Sequence, residues 1–302
     1  MFKIVYNLGS KILIATGIPR YDTIIEVENS TFRCNKFRKP FPVNLRGATG
    51  GLIKGQTPFI CGGYDQTKKT ASRDCYKLNE AGDWTKDQIA ILNTARSGAG
   101  TGSAIINNKL VLSGGRDNSG LLKSIELVSP NESSKTLSVQ LPLAISNHCS
   151  IKWDFETVMI IGGESRYRRA ETYFINVRTN TLKNGPSLNN ARTSFACEEL
   201  KVEGKSYIVV SGGWGALSST EVLDKDNIDQ GWQKGTRTNI FPVRYEVSLN
   251  SYPFQDLTCR LTNALTKWFL LQIKSFFMSL ATGEETSNSS ALELSTLVSG
   301  QR

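Results

Sequence analysis

Histidine is almost absent: His148 stands alone among 302 residues. A poly-histidine metal site therefore cannot be assembled, and any acid–base dyad lacks a second imidazole. Cysteine is sparse too. The six, Cys34, Cys61, Cys75, Cys149, Cys197 and Cys259, form no Cys-x-x-Cys, so a zinc site would need four thiolates from scattered places. No Gly-x-Ser-x-Gly turn is present to carry a nucleophilic serine. No apolar run is long enough for a membrane span: the best stretch, 261–281, is interrupted by Lys267 and Lys274. Proline numbers 9 against 26 glycines, a balance that suits many short strands joined by turns.

The formal net charge is +9, and nearly all of the excess lies before residue 238. A surface of this sign suits an acidic protein, an anionic glycan or nucleic acid. Nucleic acid is disfavoured, because the cations form no run and aromatics do not interleave with them. An even cysteine count fits disulfides and an oxidising compartment. Three sequons, Asn29-Ser30-Thr31, Asn131-Glu132-Ser133 and Asn288-Ser289-Ser290, point the same way. The first residues argue against a signal peptide, since Asn7, Gly9, Ser10 and Lys11 break the apolar run; a fragment whose true start lies upstream would read the same. The expectation is a secreted or secretory-pathway protein, with the cytoplasm as the alternative.

An apolar run followed by a glycine pair recurs: PFICGG (58–63), LVLSGG (110–115), VMIIGG (158–163) and IVVSGG (208–213), with a degenerate ILIATG at 12–17. A second β-rich run follows each: TIIEVE (23–28), DCYKLN (74–79), SIELVS (124–129), ETYFIN (171–176) and STEVLD (219–224). A further strand precedes the later pairs, joined to the apolar run by hairpins such as Asn107-Asn108 and Glu203-Gly204. Each unit of roughly fifty residues is thus four short antiparallel strands, which bury both faces only when stacked radially, blade on blade. Glycine suits the turn where neighbouring blades crowd together.

The pattern of glycine pair, tyrosine and tryptophan resembles the kelch repeat. It is carried best by FICGGY (59–64), Cys75-Tyr76, Trp84 and the linker LNTARSGAG (92–100), which NNARTSFAC (189–197) repeats. The resemblance covers about residues 2–236. It implies an all-β, kelch-type propeller over 1–236, of the galactose-oxidase central-domain superfamily. Five blades are recognisable, either an incomplete six or a true ring of five. Residues 237–302 form a diverged tail, with an amphipathic helix over 261–281 and a polar, disordered end. That tail reads as a spliced or frame-shifted end on a six-blade ancestor, or as a helical cap.

The superfamily raises an enzymatic alternative of galactose-oxidase type, which resembles a copper site with several imidazole and tyrosine ligands. One histidine does not supply it, and His148 reads as a core residue. The Ser-x-Asp-x-Gly-x-Thr-Trp boxes of sialidases are absent. The expectation is a non-enzymatic interaction scaffold without cofactor or metal. A cytosolic kelch adaptor of a ubiquitin ligase is a further alternative, although no preceding BTB domain fits here.

Antiparallel topology puts the loops after each glycine pair and the linkers before each inner strand on one end of the blades, the loop face. The remaining hairpins lie on the opposite, hairpin face. The loop face carries a strong positive excess; the hairpin face is slightly negative. Candidate partner-binding residues are Arg96, Arg116, Arg166, Arg168, Arg169 and Arg192, with Tyr64, Tyr167 and Trp214 as aromatic anchors. Linker arginines resemble those that related kelch domains use on a peptide-binding face. The expected ligand is an acidic peptide or another anionic ligand. Two disulfides are expected: Cys61–Cys75, facing across antiparallel strands of one blade, and Cys149–Cys197, stapling two inner strands. Cys34 and Cys259 stay unassigned.

Overall fold

The computed structural model describes residues 41–100 and 104–235, together with four earlier strands of which only the backbone is described. The chain divides into two compact units, Met1–Val247 and Ser248–Arg302. The second unit, with the expected helix over 261–281, lies outside the described residues, as does any sixth blade beyond residue 235.

Twenty-three strands are present among the described residues. Blade one comprises β1 (Ile4–Asn7), β2 (Lys11–Ala15), β3 (Thr23–Glu28) and β4 (Thr31–Lys36). After β5 (Leu45–Arg46), blade two contains β6 (Thr49–Ile53) and β7 (Thr57–Cys61). The short β8 (Tyr64–Asp65) and β9 (Thr70–Ala71) follow, then β10 (Asp74–Leu78) and β11 (Trp84–Ile91) complete the blade. Blade three holds β12 (Ile105–Ile106), β13 (Lys109–Ser113), β14 (Ile125–Val128) and β15 (Lys135–Thr136). Blade four holds β16 (Cys149–Lys152), β17 (Thr157–Ile161), β18 (Thr172–Asn176) and β19 (Thr181–Asn184). Blade five holds β20 (Ala196–Val202), β21 (Lys205–Ser211), β22 (Thr220–Asp224) and β23 (Gln233–Lys234). Each blade is a four-stranded antiparallel meander, and β5, β8 and β9 form a small extra sheet. The inner strands neighbour one another in chain order, β1 to β6, β6 to β12, β12 to β16 and β16 to β20. This is the β-propeller architecture.

The second strand of each repeat reads as a continuous apolar run because both of its faces are covered. In β17, Val158 and Ile160 join the core shared with blade three, while Met159 and Ile161 join the core shared with blade five. In β13, Val111 faces blade four, and Leu110 and Leu112 face blade two. Period-two alternation is intact, but both sets are apolar. The outer strands β15, β19 and β23 are mostly exposed, so the core lies between blades near the inner strands. Trp84 packs edge-on to Phe41 at 5.1 Å, and Trp232 donates its indole N–H to the Pro186 carbonyl at 2.8 Å. Leu137, at the corresponding place in blade three, is buried as well.

Tight hairpins join first and second strands. Asn107 and Asn108 both adopt positive φ, 49° and 59°, as do Glu203 and Gly204, 50° and 79°. Two successive residues of this kind match the right-handed twist of the flanking strands. In blade two, Cys61 of β7 lies directly opposite Cys75 of β10. Their sulfurs are at bonding distance, with Cα atoms 4.1 Å apart. Cys149 and Cys197 also meet, Cα atoms 6.3 Å apart, between the inner strands of blades four and five.

Candidate binding face

The loop face is built on the glycine pairs. Gly62 has φ +68°, and a Cβ there would lie 2.6 Å from the Arg96 carbonyl oxygen. Only glycine permits that approach and that backbone. In three of the four pairs the second glycine then donates its N–H to the linker of the next blade: Gly63 to Arg96, Gly115 to Ile145 and Gly163 to Arg192, at 2.8–2.9 Å. The linkers also bond to one another. Gly98 donates to Gly47, Asn147 to Gly98 and Ser194 to Asn147, at 2.7–2.9 Å, and all four residues have positive φ. A single thread of backbone hydrogen bonds therefore runs across blades two to five and fixes the spacing of their loops.

Arg96 and Arg192 are not on this surface; both are fully buried. The Arg96 guanidinium donates to the carbonyls of Gly114 (2.8 Å) and Ser124 (3.0 Å), to Ser124 Oγ (2.9 Å) and to Glu126 Oε1 (2.5 Å). Arg192 repeats the set with Gly212 (3.0 Å), Ser219 carbonyl (3.1 Å), Ser219 Oγ (2.9 Å) and Glu221 Oε1 (2.6 Å). Glu126 further accepts the N–H groups of Asn93 (2.7 Å) and Thr94 (3.0 Å), and Glu221 those of Asn189 (2.6 Å) and Asn190 (3.0 Å). Burial pushes the Arg96 pKa down against the pull of Glu126. Burial alone would raise the Glu221 pKa, but hydrogen bonds from the Asn189 backbone and Arg192 hold it below the usual carboxylate value. The fork geometry was expected to grip a partner; the protein's own strand supplies the carboxylate instead.

The remaining candidates divide. Arg169 is half-buried and forms a bidentate pair with Glu171. Tyr64 is half-buried in β8. Arg116, Arg166 and Arg168 are exposed, as are Tyr167 (66%) and Trp214 (60%). The first residue after each glycine pair bridges to the adjoining linker: Tyr64 to Arg46, Arg116 to Ser97, Glu164 to Ser146 and Trp214 to Thr193. Arg46, exposed opposite Tyr64, is one cation the sequence reading missed. Aligning Gly47 with Gly98 places it in the linker set and was the available signal.

A cleft of about 380 Å³ opens beside the blade-four loop, lined by Glu164, Ser165, Arg166, Tyr167, Arg168 and Ala191. The Arg166 guanidinium lies over the Tyr167 ring, 5.5 Å from its centroid. Glu164 is held by the Asn147 amide at 2.9 Å. Gly215 (φ +100°) closes the far side: a Cβ there would lie 2.8 Å from Arg168 Cδ and Nε and 2.4 Å from the Ala191 carbonyl oxygen. Glycine at 215 thus lets Arg168 lie against the loop that carries Trp214. The cleft thus holds two cations, one carboxylate and the exposed Tyr167 ring, and the loop with the exposed Trp214 reaches Arg168 through Gly215 where blades four and five adjoin.

His148 is fully buried immediately before β16, with its Nε2 2.8 Å from Ser113 Oγ, which also contacts Ser150 Oγ at 3.1 Å. Burial, aided by the charge of Arg96, lowers its pKa to about 3, so the imidazole is neutral at physiological pH. Among the described residues, no three His, Cys, Asp or Glu side chains converge as a metal site, and no helix is long and apolar enough to cross a membrane.

No family model matches the chain, and no curated protein matches it. Among solved structures, that of YjhT is similar, with a TM-score of 0.62 over 78% of this chain and 84% of that one. The identity is 12%, so the likeness shows the propeller fold and nothing finer.

Proposed function

We propose that this propeller is a non-enzymatic binding module of kelch type whose loop face takes an acidic peptide. One observation carries the reading: Arg166 and Arg168 line a cleft with the exposed Tyr167 and with Glu164, and the loop of the exposed Trp214 meets Arg168 at Gly215, on a face tied together by the linker thread. Rigid guanidinium forks beside aromatic rings suit carboxylates on an extended chain, with the rings supplying contact area at low entropic cost. Arg116 of blade three and Arg46 before blade two are exposed on the same face. The two cysteine pairs favour an oxidising compartment over a cytosolic adaptor role.

The test is retention on an immobilised glutamate-rich peptide across a salt gradient. The variant Arg166→Ala/Arg168→Ala should lose about tenfold in affinity, and Trp214→Ala a similar amount, as expected for residues at a hot spot. Lys152→Ala and Lys201→Ala on the hairpin face should change little. Equal losses from both faces would reduce the effect to net charge. Retention on heparin but not on the peptide would redirect the reading to an anionic glycan.

A further inference from the structure

The loop between β14 and β15 carries Asn131, Glu132 and Ser133, all exposed. It lies on the hairpin face, because β14 starts beside the glycine-pair end of β13 and runs away from it. Asn131 adopts φ +61° at the turn. Its backbone N–H donates to Asp87 Oδ2 of blade two at 2.9 Å, and its Oδ1 accepts from Lys77 Nζ at 2.6 Å. Lys77 and Asp87 are themselves paired at 3.2 Å. Blade two therefore holds this residue by its backbone N–H and its side-chain oxygen, and neither contact uses Nδ2.

We propose that Asn131 is an N-glycan acceptor. In the reaction, Nδ2 forms a bond to the anomeric carbon of an oligosaccharide carried on a lipid pyrophosphate. The bond from that carbon to the pyrophosphate oxygen breaks, the lipid pyrophosphate leaves with the electron pair, and Nδ2 gives up one proton. The hydroxyl of Ser133, two residues on, completes the acceptor tripeptide. The product is still an amide whose oxygen can accept from Lys77, so the blade-two contact survives modification. The glycan projects from the hairpin face and leaves the cleft of Arg166 and Arg168 on the loop face uncovered. The assignment rests on the oxidising-compartment reading but not on the acidic-peptide reading.

The experiment directs the full chain into the secretory pathway of a eukaryotic cell and recovers it from the medium. Enzymatic deglycosylation in heavy-oxygen water converts a glycosylated asparagine to labelled aspartate, and trypsin releases the peptide 124–135 between Lys123 and Lys135. The label is expected at Asn131 in the parent chain, retained in Ser133→Thr and abolished in Ser133→Ala. The exposed serine makes neither variant a folding hazard, and Asn131 keeps its blade-two contacts in both. An unlabelled peptide 124–135 from a chain whose Cys61–Cys75 bond is formed overturns the acceptor assignment alone. A chain with neither the bond nor the label overturns the assignment together with the compartment reading. Label persisting in Ser133→Ala also overturns the assignment.

Discussion

Blades three and five solve one packing problem with charge; blades two and four solve it with oil. At the linker position facing the third strand, Arg96 meets Glu126 and Arg192 meets Glu221. The register places Leu45 with Tyr76 and Ile145 with Tyr173 in the other two, each pair within an apolar cluster. All eight residues are buried. The comparison teaches that the propeller needs this site filled and tied, not charged. An arginine there satisfies carbonyls of the glycine turn that it touches, whereas an isoleucine contributes only apolar burial. A buried pair is costly to break but replaceable as a whole.

The largest effect should come from breaking one charged pair. Arg192→Ala leaves Glu221 buried beside polar groups without its cation, and should lower unfolding free energy by about 3–5 kcal/mol in a urea titration. Ile145→Ala in the apolar blade should cost about 2–5 kcal/mol through the cavity it opens. Next comes the cross-blade staple. Replacing Cys149 and Cys197 together by alanine should cost about 2–4 kcal/mol, and reductant should then shift the variant less than the parent, because only the Cys61–Cys75 bond is left to break.

A smaller net change is expected from converting one solution into the other. Arg192→Ile with Glu221→Tyr copies blade four into blade five. A thermal scan should find the double variant well above Arg192→Ala and close to the parent, because both buried charges leave together. A double variant as unstable as the single would show that the turn carbonyls need the guanidinium. The smallest effect is in pH. Glu221 has a folded pKa below its unfolded value, so its stabilisation is fully present above the ordinary glutamate pKa and is lost as pH falls through the lower folded one. The parent should lose stability over that acid window, and the double variant should lose less of it.

The blade period was legible because a strand buried on both faces must be apolar at every position, and the turn after it must be glycine. PFICGG and VMIIGG show both at once. The facing of Cys61 and Cys75 followed from the same frame, since they flank one glycine turn. The roles of Arg96 and Arg192 were misread, because an arginine in a loop reads as solvent-exposed unless its carboxylate is recognised. The signal was present: Arg96 is matched by Ser124-Ile125-Glu126 and Arg192 by Ser219-Thr220-Glu221, while blade four, with Ile145, has Glu171-Thr172-Tyr173. The cleft itself was not legible. It depends on Gly215 admitting Arg168 from a neighbouring blade, a contact 47 residues apart that no local pattern encodes.

The thread through Gly47, Gly98, Asn147 and Ser194 acts as a tie bar across blades two to five. A load applied to any one loop passes sideways along hydrogen bonds between linkers, rather than outward through the exposed strands β15, β19 and β23. Those outer strands can fray and re-form without altering the distance between Arg116, Arg168 and Trp214. The outer edge of these blades is therefore expendable in the short term, while the spacing of the loops is set by the linkers.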